Sequence, residues 1–334
     1  MKDRNRPRVS IVIPTYNRAN LLDRSIRSVL NQTYQEFELI VVDDASTDNT
    51  SDVITKFHDE RIKFIRHDKN RGAGAARNTG IKAARYGYLA FHDSDDEWLP
   101  YKLEKQMRLF ETLPLTVGVV YADMWKVEEG KRTHLSSPHV MPKHKITSRP
   151  SLRYRLFGIG IQSTVVRKEC LTAAGLFDES LPALEDSEFL IRVSAHYDLY
   201  HIHEPLVNYY QTPDGLMHSA AKVATAWQLI LDKHREEILR DRRTLAWYRV
   251  NTSFWLSLSG NPLAAGSLLR DAVAADLMET RVSYFRLART VPFIREHMWR
   301  NLYRASRHAL RQKLANLRNR IVRRIRRVWP RRSS

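Results

Sequence analysis

The sequence predicts an α/β protein: a parallel or mixed sheet, mainly parallel, wrapped by helices and followed by a helical C-terminal extension. Before residue 90, short β-branched and aliphatic runs alternate three times with segments of helical periodicity, the pattern of successive β-α units. Two of the strand-like runs end in acids. From about Ala220 the chain turns helical and increasingly basic.

In order, "RVSIVIPTY" reads as a buried strand, "NLLDRSIRSVLNQ" as a helix with apolar residues on one face, and "FELIVVDDAS" as a second strand ending in acids. "DNTSDVITKFHD" reads as a helix, "RIKFIRHD" as a strand, and "RGAGAARNTGIKAA" as a glycine-rich turn running into a helix. "YGYLAFHD" is the next strand, and "EWLPYKLEKQMRLF" a helix entered through Pro100. Beyond residue 110, "VGVVYADMWKVEE" and "HLSSPHVMP" suggest strand and loop. "GIGIQSTVVRKECLTAAGLFDESLPALEDSEFLIRVSAHY" suggests strand, helix, loop and helix, and later breaks fall near Gly260 and Pro292. The expected organisation is an α/β domain over 1–215, a helical region over 216–300 and a basic tail over 301–334.

A chain of 334 residues with 43% apolar content and seven Trp residues is globular, long enough for one large domain and an appendage. Cys170 is the only cysteine, so no intramolecular disulfide is possible. No apolar run follows "MKDRNRPRVS", which makes the reducing cytoplasm the expected location. The most apolar late stretch, "WYRVNTSFWLSLSGNPLAAGSLL", carries Arg249, Asn251 and Pro262 and does not read as a membrane span. The tail has Leu310, Leu314, Leu317, Ile321 and Ile325 at helical spacing amid arginines, which fits peripheral attachment to the inner, anionic face of the cell membrane.

The net charge is +18, yet "FHDSDDEW" crowds Asp93, Asp95, Asp96 and Glu97 together. Close carboxylates repel and raise one another's pKa unless a positive group sits between them. A divalent cation, Mn2+ or Mg2+, is the expected complement, held through hard oxygen ligands with positions left for phosphate oxygens. Asp43 and Asp44 end the second strand, and parallel strands bring both sets of acids to one sheet edge, where open α/β sheets bind ligands. Between them, Gly72 and Gly74 permit close backbone approach, and Arg77 follows on the next helix within reach of a pyrophosphate. "LEDSEF" adds Glu185 and Asp186 at a helix start, candidates for a base.

These motifs, in this order, resemble the family 2 glycosyltransferases of the GT-A fold. The matching text is "VSIVIPTYNRANLLDRSIRSVLNQTYQEFELIVVDDASTDNT", "NRGAGAARNTGI", "FHDSDDEW" and "GLFDESLPALEDSEFLIR", across roughly residues 8 to 210. The resemblance implies inverting transfer of a sugar from a nucleotide-diphosphate donor, expected to be a UDP-sugar, to a glycan or lipid-linked acceptor. It places Pro14, Thr15 and Tyr16 around the base, Asp44 on uracil, Arg77 on the nucleotide or its phosphates, Asp93 near the ribose and Asp95 on the metal. Asp186 takes the position of the catalytic base. Asp43, Asp96, Glu185 and His218 are secondary candidates. No Gln-x-x-Arg-Trp motif of the processive synthases follows the catalytic acid, so transfer of one sugar per encounter is expected.

The rival is a nucleic-acid-binding protein using the basic C-terminal region, which explains the tail but not the ordered acids. No nucleic-acid partner is therefore expected. A pyrophosphorylase would need a basic glycine-rich loop after the first strand, where "IPTYNR" stands. No Cys/His or His/His set has the spacing of a zinc site, and as functional histidines His92, His201 and His203 have weaker claims than His218.

Overall fold

The computed structural model describes residues 6–136, 156, 158–210, 219–280 and 282–283. His218, Pro292 and the tail 301–334 lie outside the described residues, as does most of "HLSSPHVMP". The chain divides into two compact units, Met1–His218 and Ser219–Ser334.

The first unit is built on a nine-stranded sheet. Its opening run contains β1 (Val9–Thr15), α1 (Ala19–Leu30), β2 (Phe37–Asp43), α2 (Thr50–Thr55), β3 (Ile62–Arg66), α3 (Ala73–Ala83) and β4 (Tyr88–Phe91). After these come β5 (Glu97–Trp98), α4 (Lys102–Thr112), β6 (Val117–Glu128), β7 (Lys131–Leu135), β8 (Val165–Arg167), α5 (Cys170–Ala174), α6 (Glu185–Val193) and β9 (Asp198–Tyr210). The strands run in the order β3-β2-β1-β4-β8-β6-β9-β5, with β7 paired to β6. The pairs β3-β2, β2-β1, β1-β4 and β6-β9 are parallel, whereas β8 lies antiparallel between β4 and β6.

Local chemistry explains the elements. β1 and β2 are buried along their whole length, which their nearly unbroken apolar sequence permits in a sheet covered on both faces. α1 covers one face with Leu22, Ile26 and Val29, all fully buried. α3 covers the other face and lies close because Gly80 has no side chain: a Cβ there would come within 2.3 Å of Val12 Cγ1. Gly72, at φ +89°, supplies the left-handed turn into that helix.

Two sequence expectations need correction. Glu97 and Trp98 form the edge strand β5, antiparallel to β9, and are not part of α4, which begins at Lys102. The break follows from Pro100, since a residue preceding proline is pushed out of the helical region. The thirteen-residue strand β9 was not expected at all. It carries Pro205 and a register shift against β6, so its alternation is interrupted and hard to recognise.

The second unit contains α7 (Ala220–Lys233), α8 (Arg235–Arg240), α9 (Arg242–Leu258) and α10 (Pro262–Ala275). Trp227, Trp247 and Tyr248 pack edge to face at 5.2 Å between ring centroids. Asp241 caps α9 by accepting from the amides of Arg243 and Thr244. The break at Gly260 has φ +83°, and Asn261 with Pro262 then starts α10. Among the described residues, no helix is long and apolar enough to cross a membrane.

Candidate active site

The C-terminal ends of β1, β2 and β4 meet on one sheet edge. Pro14 and Thr15 are buried at the end of β1, whereas Tyr16 stands 43% exposed just beyond it. The hydroxyl of Thr15 is buried without a hydrogen-bond partner. Its carbonyl accepts from the Asp44 amide at 2.8 Å, tying the ends of β1 and β2 together.

The two acids after β2 are occupied by the protein itself. Asp43 is fully buried and accepts from the amide and hydroxyl of Ser46, at 2.9 and 2.5 Å, and from the Ser51 hydroxyl at 3.3 Å. Asp44 accepts from His67 Nδ1 at 2.7 Å and from the amides of Arg71 and Gly72, at 2.9 and 2.7 Å. This carboxylate therefore fixes the glycine-rich turn that precedes α3.

The acids after β4 are in a different condition. Asp93 is partly exposed, and its Oδ1 accepts from Arg77 Nη2 at 2.8 Å. Asp95 Oδ2 lies 3.8 Å from the Arg18 guanidinium, and its carbonyl accepts from Arg24. Asp96 is buried; Oδ1 accepts from the Tyr210 amide at 2.9 Å, while Oδ2 makes no hydrogen bond of good geometry. Burial pushes the Asp96 carboxyl well above the ordinary carboxylate range, and the charges of Asp93 and Asp95 push it further.

Arg77 joins this edge to the start of α6. It is buried, donating through Nη2 to Asp93 and through Nη1 to Glu185 Oε1 at 2.5 Å. Burial alone would lower its pKa, but Asp93, Glu185 and Asp186 outweigh that and hold the guanidinium charged. Leu184 precedes α6 at φ +61°, a left-handed backbone uncommon for a branched residue, and it sets the entry of Glu185 and Asp186. The Asp186 carboxyl is pushed up to about 6, first by burial and then by Glu185, with Arg77 pulling the other way. Its Oδ1 accepts from the Ser187 amide at 2.6 Å.

The structure thus brings Asp93, Arg77, Glu185 and Asp186 into one cluster, with Asp95 and Asp96 adjoining it in the chain. Asp43 and Asp44 lie one loop away, as props of the loops rather than members of the cluster. Sequence reasoning missed Arg18, just before α1, and Arg24, within it, which reach Asp95, and Tyr210, which reaches Asp96 from the unexpected strand β9. The signal for the arginines was present in "NRANLLDR", basic residues one helical turn or more apart at the head of a helix. The structure also brings together side chains that sequence spacing did not group: Asp123, His201 and His203 converge, although 78 residues separate Asp123 from His201.

The family model of glycosyl transferase family 2 matches residues 10–171. The putative colanic acid biosynthesis glycosyl transferase WcaA of Escherichia coli K12 is 34% identical over 197 residues, 58% of this chain and 68% of that protein. Escherichia coli WfgD, a UDP-Glc:alpha-D-GlcNAc-diphosphoundecaprenol beta-1,3-glucosyltransferase, is 46% identical over 101 residues, 30% of this chain and 40% of that protein. S. aureus TarS 1-349, solved in complex with UDP-GlcNAc, shares the fold at a TM-score of 0.65 and 20% identity, over 92% of each chain. Its GT-A architecture matches the mixed sheet and flanking helices described above. With the strand-end acids, the Arg77 cluster and these likenesses together, the chain belongs to glycosyl transferase family 2 and is a glycosyltransferase.

Proposed function

We propose that the protein is an inverting, non-processive glycosyltransferase that moves a sugar from a UDP-sugar to a hydroxyl of a lipid-linked glycan. The observation that carries this reading is the Arg77 cluster, which ties a donor-side acid, Asp93, to the helix start that bears the candidate base. Asp186 accepts the proton of the acceptor hydroxyl as that oxygen attacks the anomeric carbon and the nucleotide diphosphate leaves. A carboxyl at about 6 is ionised at neutral pH yet basic enough to take a proton. Arg77 acts through Asp93 and Glu185 as a positioning residue, held rigid by its two ion pairs.

The residues after β4 fit a divalent cation. Asp96 has a buried oxygen without a hydrogen bond of good geometry, and neighbouring carboxylates repel it, a strain that a positive charge among them relieves. Asp95, with Asp93 or Asp96, would hold Mn2+ or Mg2+, which would offset the charge gained by the leaving diphosphate. Pro14, Thr15, Tyr16 and Asp44 would border the base, and Asp93 would lie near the ribose. The UDP donor and lipid-linked acceptor are supported by the name of WfgD, and the donor also by the ligand of TarS. The basic tail 301–334 is proposed to hold the enzyme on the inner face of the cell membrane, so its deletion should abolish sedimentation with anionic vesicles and leave UDP binding intact.

The deciding experiment screens nucleotide sugars for Mn2+-dependent hydrolysis or transfer, with polyprenyl-diphosphate-linked sugars as acceptors. Turnover of a UDP-sugar that Asp186→Asn eliminates is the expected result. Turnover unaffected by that substitution would remove Asp186 from the chemistry.

A further inference from the structure

A second cluster stands outside this site. Asp123 on β6 is buried, and each of its oxygens meets a histidine: His201 Nε2 donates to Oδ1 at 2.6 Å, and His134 Nε2 donates to Oδ2 at 2.9 Å. The His203 ring lies 4.1 Å from that of His201, centroid to centroid. One ligand atom from each of Asp123, His201 and His203 lies within 4.8 Å of the others.

We propose that Asp123, His201 and His203 form a binding site for a divalent transition-metal ion of the zinc type, separate from the carboxylates that follow β4. Two imidazoles and one carboxylate make a nitrogen-rich, borderline ligand set suited to zinc, and three protein ligands leave a position open. With metal-ligand bonds of about 2.0–2.2 Å, tetrahedral ligands sit roughly 3.3 Å apart, so the cluster needs only a modest contraction. His203 is exposed and lies in the stretch where β9 shifts register against β6, so it has room to swing inward. The proton on His201 Nε2 already bridges to Asp123, and a cation that replaces it keeps both atoms as ligands.

The surroundings match what a metal site requires. His134 binds the second carboxylate oxygen and orients Asp123 from outside. The His201 ring stacks on Tyr121 at 4.6 Å and 4°, which fixes its plane. His201 Nδ1 is buried without a hydrogen-bond partner, so apart from Asp123 the described structure supplies no polar anchor to this ring. Register places the cluster on the functional edge of the sheet. Ala90 pairs with Val165 and Val165 with Val120, so Asp123 stands three residues beyond its match on β6 as Asp93 does on β4.

The test uses untagged full-length protein, both wild type and an Asp95→Ala background that removes the other proposed metal ligand. Calorimetric titration with Zn2+ should give one ion per chain with proton release in both, and Co2+ should give the visible absorption of a tetrahedral site. His203→Ala, at an exposed position, should weaken Zn2+ binding at least about tenfold, the lower end of what even outer partners of metal ligands contribute. His201→Gln should do the same if it folds, and His134→Ala should weaken binding less. Absence of stoichiometric Zn2+ binding overturns the proposal, as does affinity unchanged by His203→Ala. Loss of the Zn2+ site on Asp95→Ala alone also overturns it, because the ion would then sit among the other carboxylates.

Discussion

Two strand ends of this protein carry paired acids, and they use them in opposite ways. After β2, Asp43 and Asp44 are saturated by serine hydroxyls, a histidine and backbone amides, so their charge builds the loops. After β4, Asp93 and Asp95 meet arginines while Asp96 keeps a buried oxygen without a hydrogen bond of good geometry. Burial does not separate the two regions, for Asp43, Asp44 and Asp96 are all buried. Donor supply does: Asp43 and Asp44 each have several local donors, whereas one buried oxygen of Asp96 lacks a hydrogen bond of good geometry.

The comparison breaks most visibly at the proposed base. Asp186→Asn should lower transfer at least about a hundredfold, the lower end of a general base's contribution, while calorimetry finds UDP binding retained. Asp44→Ala should cost on the order of 3 kcal/mol in urea unfolding, because the amides of Arg71 and Gly72 and the His67 ring lose their acceptor together. Asp95→Ala should weaken Mn2+-dependent UDP binding at least about tenfold and leave the urea midpoint nearly unchanged. A large stability loss there would erase the contrast between the two strand ends.

Titration sharpens the same contrast. The transfer rate should fall about tenfold per pH unit below roughly 6, as Asp186 takes up its proton and ceases to be a base. A profile flat down to pH 5 would count against that role. The smallest effect is expected at Asp96. Its folded-state pKa is raised, so the folded form holds the proton more tightly than the unfolded one, and the stability this brings is lost as pH rises through the folded pKa. Asp96→Asn does not titrate, so its stability relative to wild type should increase with pH, whereas Asp43→Asn should destabilise at neutral pH.

Much of the first unit was legible because its signals are local. Nearly unbroken apolar runs gave β1 and β2, and the glycine-rich stretch with Gly72 gave the turn into α3. The family motifs also singled out Asp93, Asp95 and Asp186 as candidates. What stayed hidden depends on pairing between distant segments. β9 gains its identity from lying beside β6, and its register shift blurs the alternation that would announce it. Arg77 was read as a contact of the nucleotide or its phosphates, and its pairings with Asp93, sixteen residues on, and Glu185, 108 residues on, could not be seen in the sequence.

By itself the sequence determined which segments become strands and helices of the opening β-α units, and which residue types stand at their ends. Backbone sterics and hydrophobic periodicity act over a few residues, so those outcomes are written where they occur. Tertiary structure alone decided which acids are satisfied and which are left wanting. It supplied Asp44 with the amides of a turn 27 residues away and gave Asp96 the Tyr210 amide of β9 and the side chain of Gln162. It also gathered Asp123, His201 and His203 from two parallel strands. A side chain's protonation and its readiness for a ligand follow from the donors, charges and solvent around it, and folding assembles those from remote parts of the chain.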